Sequence, residues 1–225
     1  MEPGGMVVLI LLLTGVIVIV ILAIQSSVRQ KKVARLRAWA EQQGWRYDEQ
    51  RPELAHQFDG APFTGGRGAK AEHVLTGSHR GHRAVLYEYT YTSSNGQTST
   101  QHTHQITALS LPTSTPVLEV KEQHLGHMLL NLIGFHDVQL GDEEFDATFR
   151  VSTTDDDFAH MVLNADTRSW LLAQGPGRRA PFRFTGNHLI SWESTALNPD
   201  YAHDVADYLA DLVDHVPEHA WGPTT

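Results

Sequence analysis

The central part of the sequence reads Arg83-Ala-Val-Leu-Tyr-Glu-Tyr-Thr-Tyr-Thr92, then Ser93-Ser-Asn-Gly-Gln97, then Thr98-Ser-Thr-Gln-His-Thr-His-Gln-Ile-Thr-Ala-Leu-Ser-Leu111. The first and third segments are rich in β-branched and aromatic residues, which favour strands. The polar segment between them contains Asn-Gly, which favours a tight hairpin turn. With a further strand predicted at His73 to Gly77, the pattern indicates an antiparallel meander.

Downstream of this meander, the sequence predicts alternating short strands and helices. Leu111-Pro and Thr115-Pro bracket a predicted connection. Glycine and asparagine mark predicted turns, and acidic residues mark a predicted helix start. The predicted elements are a strand at Val117 to Val120, a helix from Leu125 to Gly134, strands at Val138 to Leu140 and Phe145 to Val151, a helix starting at Thr153 or Thr154, a helix at Thr167 to Ala173, a hairpin over Arg183 to Trp192 with its turn at Thr185 to His188, and a helix at Pro199 to Val216. Strands first and mixed elements afterwards predict an α+β fold with a mainly antiparallel sheet and flanking helices.

Upstream of the meander, Met6 to Ile24 contains no charged residue and spans about 28 Å as a helix, which matches the hydrocarbon core of a bilayer. We therefore predict a transmembrane helix. A cleaved signal peptide is the alternative, but the leader Met1-Glu-Pro-Gly-Gly5 lacks the Lys or Arg that such peptides carry. Periodic apolar residues continue the helix to Gly44, a residue suited to end it.

Five cations follow the apolar segment closely, and they are Arg29, Lys31, Lys32, Arg35 and Arg37. By the positive-inside rule, they predict that the part of the chain after the apolar segment lies in the cytoplasm. The protein is then predicted to be a single-pass protein of the cell membrane. We predict that they lie at the membrane interface. The predicted organisation is a short outer N-terminus at 1–5, a membrane helix at 6–24, a basic helical stalk at 25–44, a cytoplasmic domain at 45–217 with a break allowed near 112–122, and a tail at 218–225.

The charge of the soluble part restricts its partners. From Ala38 onwards 12 Lys and Arg face 25 Asp and Glu, a formal charge of about −13. Nucleic acid is not expected as a partner, because proteins bind it chiefly by neutralising phosphates. Cysteine is absent, which excludes disulfides, thiolate metal sites and a cysteine nucleophile. The predicted partners are the lipid bilayer and a protein in or near the membrane.

No catalytic motif is present: the sequence lacks a phosphate-binding loop, a dinucleotide fingerprint, a zinc-protease helix and a nucleophile elbow. We assign no catalytic, cofactor-binding or metal-binding residue. His102 and His104 share a face of a predicted strand and would bind a metal only if a third ligand such as His79 or His82 joined them. Spacing alone does not support such a site.

The last predicted helix carries an ordered row of acidic residues. Asp204, Asp207 and Asp211 share one helical face with further acids at Asp200 and Asp214. Such a row either docks a basic partner or is the solvated outer face of an amphipathic helix. We take Asp204, Asp207 and Asp211 as candidates for partner binding.

Several segments resemble a family of uncharacterised bacterial membrane-anchored proteins that carry a C-terminal domain of unknown function. The similar segments are Glu144-Phe-Asp-Ala-Thr-Phe-Arg-Val151, Asp157-Phe-Ala159, Phe182-Arg-Phe-Thr-Gly-Asn-His-Leu189 and Val216-Pro217, with Gly44-Trp-Arg-Tyr47, Phe58-Asp-Gly-Ala-Pro-Phe63 and Leu109-Ser-Leu-Pro112 resembling actinobacterial members. The resemblance implies no activity and carries over no functional residue.

Together these features predict a membrane-tethered interaction or assembly module with no recognisable catalytic motif. The alternative is a hydrolase-like enzyme or a small-ligand sensor that uses His and acidic residues. A deep pocket around His73, His79, Tyr87 and Glu88 would favour the alternative, whereas a flat surface would favour the module.

Overall fold

The computed structural model of the chain describes residues 3–63, 66–123, 135–175 and 178–221. Its elements, in chain order, are α1 (Pro3–Gln43), β1 (Arg46–Gln50), a 3₁₀ helix (Pro52–His56), β2 (Arg67–His79), β3 (His82–Ser94), β4 (Ser99–Glu122), β5 (His136–Val138), α2 (Glu143–Thr148), β6 (Phe149–Thr153), α3 (Asp156–Val162), α4 (Ala165–Ala173), β7 (Phe182–Glu193), α5 (Pro199–His215) and a second 3₁₀ helix (Glu218–Trp221).

The long helix α1 ends where the sequence predicts. Gly44, the residue after its last turn, has a φ of +68°, a left-handed conformation that glycine adopts at little cost. The amide of Trp45 then donates to the carbonyl of Ala40 at 2.7 Å, which closes the turn. As a consequence, β1 runs back along α1 in the opposite direction.

Seven antiparallel strands form one sheet in the order β1-β2-β3-β4-β6-β5, with β7 paired to β4. The helices pack against this sheet. The predicted α+β fold, an N-terminal apolar helix followed by a mainly antiparallel sheet with flanking helices, is therefore confirmed.

The predicted connection around Pro112 and Pro116 is wrong, because β4 continues through both prolines. Its first half pairs with β3 as far as Leu109, and its second half pairs with β6 from Leu118 onwards. Against β7 the register shifts in between, on either side of Thr115. Proline is tolerated at such irregular positions, where a ladder hydrogen bond is missing anyway.

The predicted hairpin over Arg183 to Trp192 is also wrong, because β7 is one continuous strand. Gly186, within the predicted turn, has a φ of +54° and lies opposite Thr115 in the irregular part of β4. Both halves of β7 pair with β4, before and after this irregular part, so the glycine lies within the strand and does not reverse it.

Two predicted boundaries shift because aspartates act as helix caps. The strand predicted from Phe145 begins only at Phe149, since the side chain of Asp142 accepts the amide of Phe145 at 3.2 Å and starts α2. The next helix is capped by Asp155, not by Thr153 or Thr154 as predicted. The helix predicted at 125–134 falls outside the described residues.

Each face of the sheet has its own cover. On one face, residues of α1, α3, α4 and α5 pack on the strands around Leu86, Leu109 and Phe184, all fully buried. On the other face, Leu54 and Phe58 of the segment after β1 cover a smaller apolar cluster of strand residues that contains Tyr87 and Ile106. The acidic C-terminal helix α5 thus lies beside α1 on the same face.

Candidate functional site

The C-terminal turns of α1 belong to the core of the domain. Leu36 is 1% exposed, and Ala40 and Trp39 are also buried, in the same cluster as residues of α5 and the sheet. Full burial of one large apolar side chain stabilises a folded domain by about 1.5–3 kcal/mol. The apolar helix is therefore docked on the domain through its last turns. We call this contact region the helix–sheet junction.

Three ion pairs extend the helix–sheet junction toward the apolar segment. Arg29 pairs with Glu49 at 2.6 Å, Lys32 with Glu88 at 2.7 Å, and Arg35 with Asp200 at 3.5 Å. The first and third pairs are exposed, and exposed pairs contribute little to stability. The Lys32–Glu88 pair is different, because the Glu88 side chain is only 10% exposed.

Glu88 links three parts of the chain. The same carboxylate oxygen that binds the Lys32 ammonium also accepts the backbone amide of Leu197 at 2.8 Å. The adjacent amide of Asn198 donates to the side-chain oxygen of Gln105 at 2.8 Å. One buried carboxylate therefore joins α1, β3 and the segment that leads into α5.

Aromatic rings fill the rest of the helix–sheet junction. The indole of Trp39 packs edge-on against Trp45, with centroids 5.7 Å apart, and donates to Asp200 at 2.8 Å. The ring of His203 from α5 meets both indoles edge-on. His79 of β2 packs on His203 at 4.6 Å, so α1, β2 and α5 meet in one ring cluster.

The five cations predicted at the membrane interface divide between two surroundings. Arg29, Lys32 and Arg35 form the ion pairs described above, and the guanidinium of Arg37 lies 5.5 Å from the ring centre of Tyr47. Lys31 is exposed. Four of the five cations thus contact the domain, and a role at the membrane surface stays a prediction for the group.

The three aspartates predicted to bind a partner line one cleft. Its volume is about 540 Å³, and it lies along α5 beside the end of α4. The lining residues are Gln174, Arg178, Ala180, Tyr201, Asp204, Val205, Asp207, Tyr208 and Asp211. Sequence periodicity placed the aspartates on one helical face, and two tyrosines of the same helix line the cleft beside them, while tertiary structure adds an arginine that follows α4.

Contacts inside the chain reduce the negative charge of this cleft. The guanidinium of Arg80, in the turn between β2 and β3, binds the carboxylates of Asp211 and Asp214. His79 contacts Asp207 at 2.9 Å. Two of the three candidate aspartates are thus engaged by the β2–β3 turn, and the binding role of all three stays a prediction.

The two tyrosines of the cleft are held in their neutral form. Burial, together with the hydrogen bond to Glu193, raises the pKa of Tyr201. Burial also raises the pKa of Tyr208, whose ring stacks on Trp170 at 5.3 Å. The described part of the chain offers the Tyr208 hydroxyl no hydrogen-bond partner. Neutral phenols and carboxylates can bind a cationic group, but they do not make a nucleophile with its base.

The polar residues that would support an enzyme are not gathered around one cavity. The hydroxyl of Tyr47 lies 2.9 Å from His73, and burial followed by the charge of Lys32 lowers the pKa of that histidine. Tyr87 is buried on the opposite face of the sheet, while His79 and Glu88 belong to the helix–sheet junction.

The histidine pair of β4 lies as predicted on one face, where His102 and His104 both stack on Tyr91 at 4.7 and 5.9 Å. His79 and His82 lie at the other end of β3, paired with each other across the turn. Within the residues described here, no three metal-binding side chains come together.

Sequence reasoning missed the burial of three charged residues, Glu88, Glu119 and Arg183. Arg183, 1% exposed, binds Glu119 through two nitrogens and donates to the carbonyls of Asp59 and Ala61. A signal for two of them exists in the sequence, since Arg183 lies between two phenylalanines and Glu88 between two tyrosines, positions where a charge needs a partner.

The fold and the helix–sheet junction define an α+β domain docked on a long apolar helix. A solved structure with the same fold is the crystal structure of the mycobacterial trehalose monomycolate transport factor A, TtfA, with a TM-score of 0.60 and 14% identity over 82% of this chain and 96% of that chain. No protein-family model matches the chain, and no curated protein matches it significantly. The similarity shows the fold.

Proposed function

We propose that this protein is a membrane-tethered, non-catalytic module that assists a transport or assembly complex of the bacterial envelope. This proposal rests mainly on the burial of Leu36, Trp39 and Ala40 of α1 in the domain core. Among the described residues, one helix is long and apolar enough to cross a membrane, and it is this same helix. A helix docked in this way holds the domain at a fixed distance from the bilayer.

The proposed topology follows from the flanking charges. Residues 1–5 lie outside, 6–24 cross the cell membrane, and the stalk at 25–44 carries one cytoplasmic domain at 45–217 followed by the tail at 218–225. The alternative is a hydrolase-like enzyme or a ligand sensor, and it has less support because Tyr87 lies on the opposite face of the sheet from the other named residues, and Glu88 already binds Lys32 and the amide of Leu197.

The proposed transport role is supported by the fold shared with a protein whose name describes a transport factor. A protein in the membrane with a basic segment fits the cleft on α5, because Asp204, Asp207 and Asp211 line it. Carboxylates attract such a segment and orient it, which accelerates and selects association.

The absence of cysteine makes the topology directly testable, since any introduced cysteine is the only one in the chain. Gly4→Cys marks the N-terminus, and Thr195→Cys marks an exposed loop before α5. In intact cells, a membrane-impermeant maleimide should label the first variant and reach the second only after permeabilisation. The reverse pattern would contradict a cytoplasmic domain.

The partner role is tested by site-specific photo-crosslinking from position 201 in native membranes, followed by mass spectrometry. We expect an adduct with an integral membrane transport protein, which Asp204→Asn, Asp207→Asn and Asp211→Asn together should remove. Exposed acids elsewhere provide a matched control: Glu143→Gln, Glu144→Gln and Asp157→Asn. An adduct pattern unchanged by the first triple variant would argue against docking at the cleft.

The functional consequence is measured by depleting the protein and following delivery of newly made envelope lipid to the cell surface. Depletion should slow delivery without changing synthesis, because the proposed module carries no catalytic group. Restoration by the wild-type chain, and failure of restoration by the cleft variant, would support the proposal. Normal delivery after depletion would overturn it.

A further inference from the structure

The hairpin formed by the ends of β3 and β4, residues 91–102, points toward the membrane segment. β1 runs back along α1, as shown by the contacts Arg37 with Tyr47 and Arg29 with Glu49. β2 is antiparallel to β1 and β3 is antiparallel to β2, so β3 runs in the direction of β1. The hairpin turn therefore lies on the membrane side of the sheet. We call residues 91–102 the β3–β4 arm.

The contact of Lys32 with Glu88 is the reference point for estimating how far the β3–β4 arm extends along α1 toward the bilayer. Between Ile24 and Lys32, α1 rises about 12 Å. From Glu88 to Ser94, β3 extends roughly 20 Å in the same general direction. Strand twist of about 20–25° at each of the two steps from β1 to β3 reduces this reach to about 14 Å. The reach of about 14 Å is slightly more than the rise of about 12 Å from Lys32 to Ile24, so the arm crosses the headgroup layer, which is about 5–7 Å thick, and its tip lies at the inner edge of that layer.

The composition of the β3–β4 arm fits that layer. No Lys, Arg, Asp or Glu occurs from Tyr89 to Leu118, in a domain that is otherwise strongly acidic. The tip is pre-organised, because the side-chain oxygen of Asn95 accepts from the amides of Gln97 and Thr98. Hydroxyl and amide groups bind well among headgroups, whereas unpaired polar groups are too costly in the hydrocarbon core.

Two exposed cations stand beside the arm. Arg67 pairs in register with Thr92, and Lys70 with Thr90, both on the membrane-facing part of β2. Near an anionic leaflet each such cation contributes about 1 kcal/mol of binding. This end of the sheet therefore combines an uncharged tip with two exposed cations, and the nearby acids Glu72 and Glu49 bind Gln50 and Arg29. The acidic helix α5 begins farther from the apolar segment, beside the helix–sheet junction.

We infer that the β3–β4 arm is a second membrane contact, which seats its tip among anionic phospholipid headgroups of the leaflet that α1 leaves. The contact restrains rotation of the domain about the axis of α1, which a single helix does not do. It would fix which side of the domain faces a partner in the bilayer. The inference rests on the proposed membrane span of α1, but not on the identity of any partner.

The test places a fluorescent probe on a matched pair of serines in the full chain. Ser99→Cys lies at the tip of the arm, and Ser78→Cys lies at the opposite end of β2; both serines are exposed. Each variant is labelled with an environment-sensitive probe and reconstituted in vesicles of phosphatidylcholine and phosphatidylglycerol. Lipid carrying a nitroxide on its headgroup should quench the probe at 99 several-fold more than the probe at 78.

Equal quenching at both positions would overturn the inference, as would stronger quenching at 99 by a nitroxide deep in the acyl chains. Arg67→Gln with Lys70→Gln should reduce quenching at 99 in vesicles that contain phosphatidylglycerol, whereas Arg83→Gln at the far end should not. Unchanged quenching in the double variant would remove the role of the cations and of anionic lipid. Flotation of the protein with the vesicles reports the membrane span separately, so a failed arm contact is distinguishable from a failed anchor.

Discussion

The ammonium group of Lys32 lies 2.7 Å from the carboxylate of Glu88, and this pair joins the apolar helix α1 to the centre of the sheet. A flexible tether would leave the domain free to turn and move relative to this helix. Here the ion pair, the buried turn around Leu36 and the indole of Trp39 act together. The domain is consequently held in one position relative to α1, which also gives the β3–β4 arm a defined position relative to this helix.

We expect Lys32→Met to lower the free energy of unfolding by about 1–3 kcal/mol, because Glu88 would keep its buried charge without the ammonium. Lys31→Met is the matched control, since Lys31 is exposed. The control should stay within about 0.5 kcal/mol of wild type. Urea unfolding of the full chain in detergent micelles, followed by tryptophan fluorescence, measures both.

A double variant isolates the pair from other effects of each substitution. Glu88→Gln removes the charge while keeping an acceptor for the amide of Leu197. If the two side chains interact as described, the loss in the double variant should be smaller than the sum of the single losses. Strictly additive losses would contradict a direct coupling.

Gly77 tests the aromatic part of the helix–sheet junction. A Cβ atom added at this position would overlap the indole ring of Trp45. Gly77→Ala should therefore shift Trp45 and destabilise the domain by about 1–3 kcal/mol, as overpacking does. Gly175→Ala, where an added Cβ meets no atom within 4 Å, is the control. Intrinsic tryptophan fluorescence and thermal unfolding report the two effects, and an unperturbed indole signal in Gly77→Ala would speak against the packing.

Local sequence signals predicted the elements whose partners are close in the chain. The Asn-Gly turn and its flanking β-branched residues predicted the β3–β4 hairpin, and Gly44 predicted the end of α1. These features depend on backbone preferences of a few neighbouring residues. The same holds for the amphipathic helix α5, whose apolar stripe reports the face that it buries.

Errors arose where a distant strand decided the outcome. Turn signals at Pro112 and at Gly186 are real, since both positions lie in irregular parts of their strands. Each strand nevertheless continues, because the other supplies an edge along its whole length. Buried charges such as Glu88 and Arg183 were missed for the same reason, since their partners lie far away in sequence.

Among the charged side chains of the sheet, we expect replacement of the buried Arg183 to lower stability most. Arg183→Met removes both bonds to Glu119 and leaves the carbonyls of Asp59 and Ala61 without this donor. Breaking a buried pair costs about 3–5 kcal/mol when the remaining charge has no other partner; because Lys121 stays 3.1 Å from Glu119, we expect a loss near the lower end of that range. Arg178→Met changes an exposed arginine and should cost little. Thermal unfolding gives the ranking, and limited proteolysis after residue 59 should be faster only in the Arg183 variant.

Histidine burial predicts how stability depends on pH. Burial lowers the pKa of His104, and the charge of protonated His102 lowers it further. Burial also lowers the pKa of His188, and the charge of Arg83 acts in the same direction. In the unfolded chain both groups bind a proton near pH 6.5. The folded state binds protons more weakly, so its stability is complete above about pH 6.5 and falls as the pH decreases through the folded pKa values. The thermal midpoint should therefore drop between about pH 7 and 5.

Replacing both histidines identifies the source of this pH dependence. His104→Gln with His188→Gln should reduce the slope of the midpoint between about pH 7 and 5, because two of the groups that take up protons on unfolding are gone, while His73, whose pKa burial also lowers, remains. His56→Gln changes an exposed histidine and serves as the control. Circular dichroism melts at several pH values measure all three proteins. A slope in the double variant as steep as in wild type would assign the pH dependence to other groups such as His73, whereas a smaller slope would show that these two buried imidazoles cause part of the loss of stability in acid.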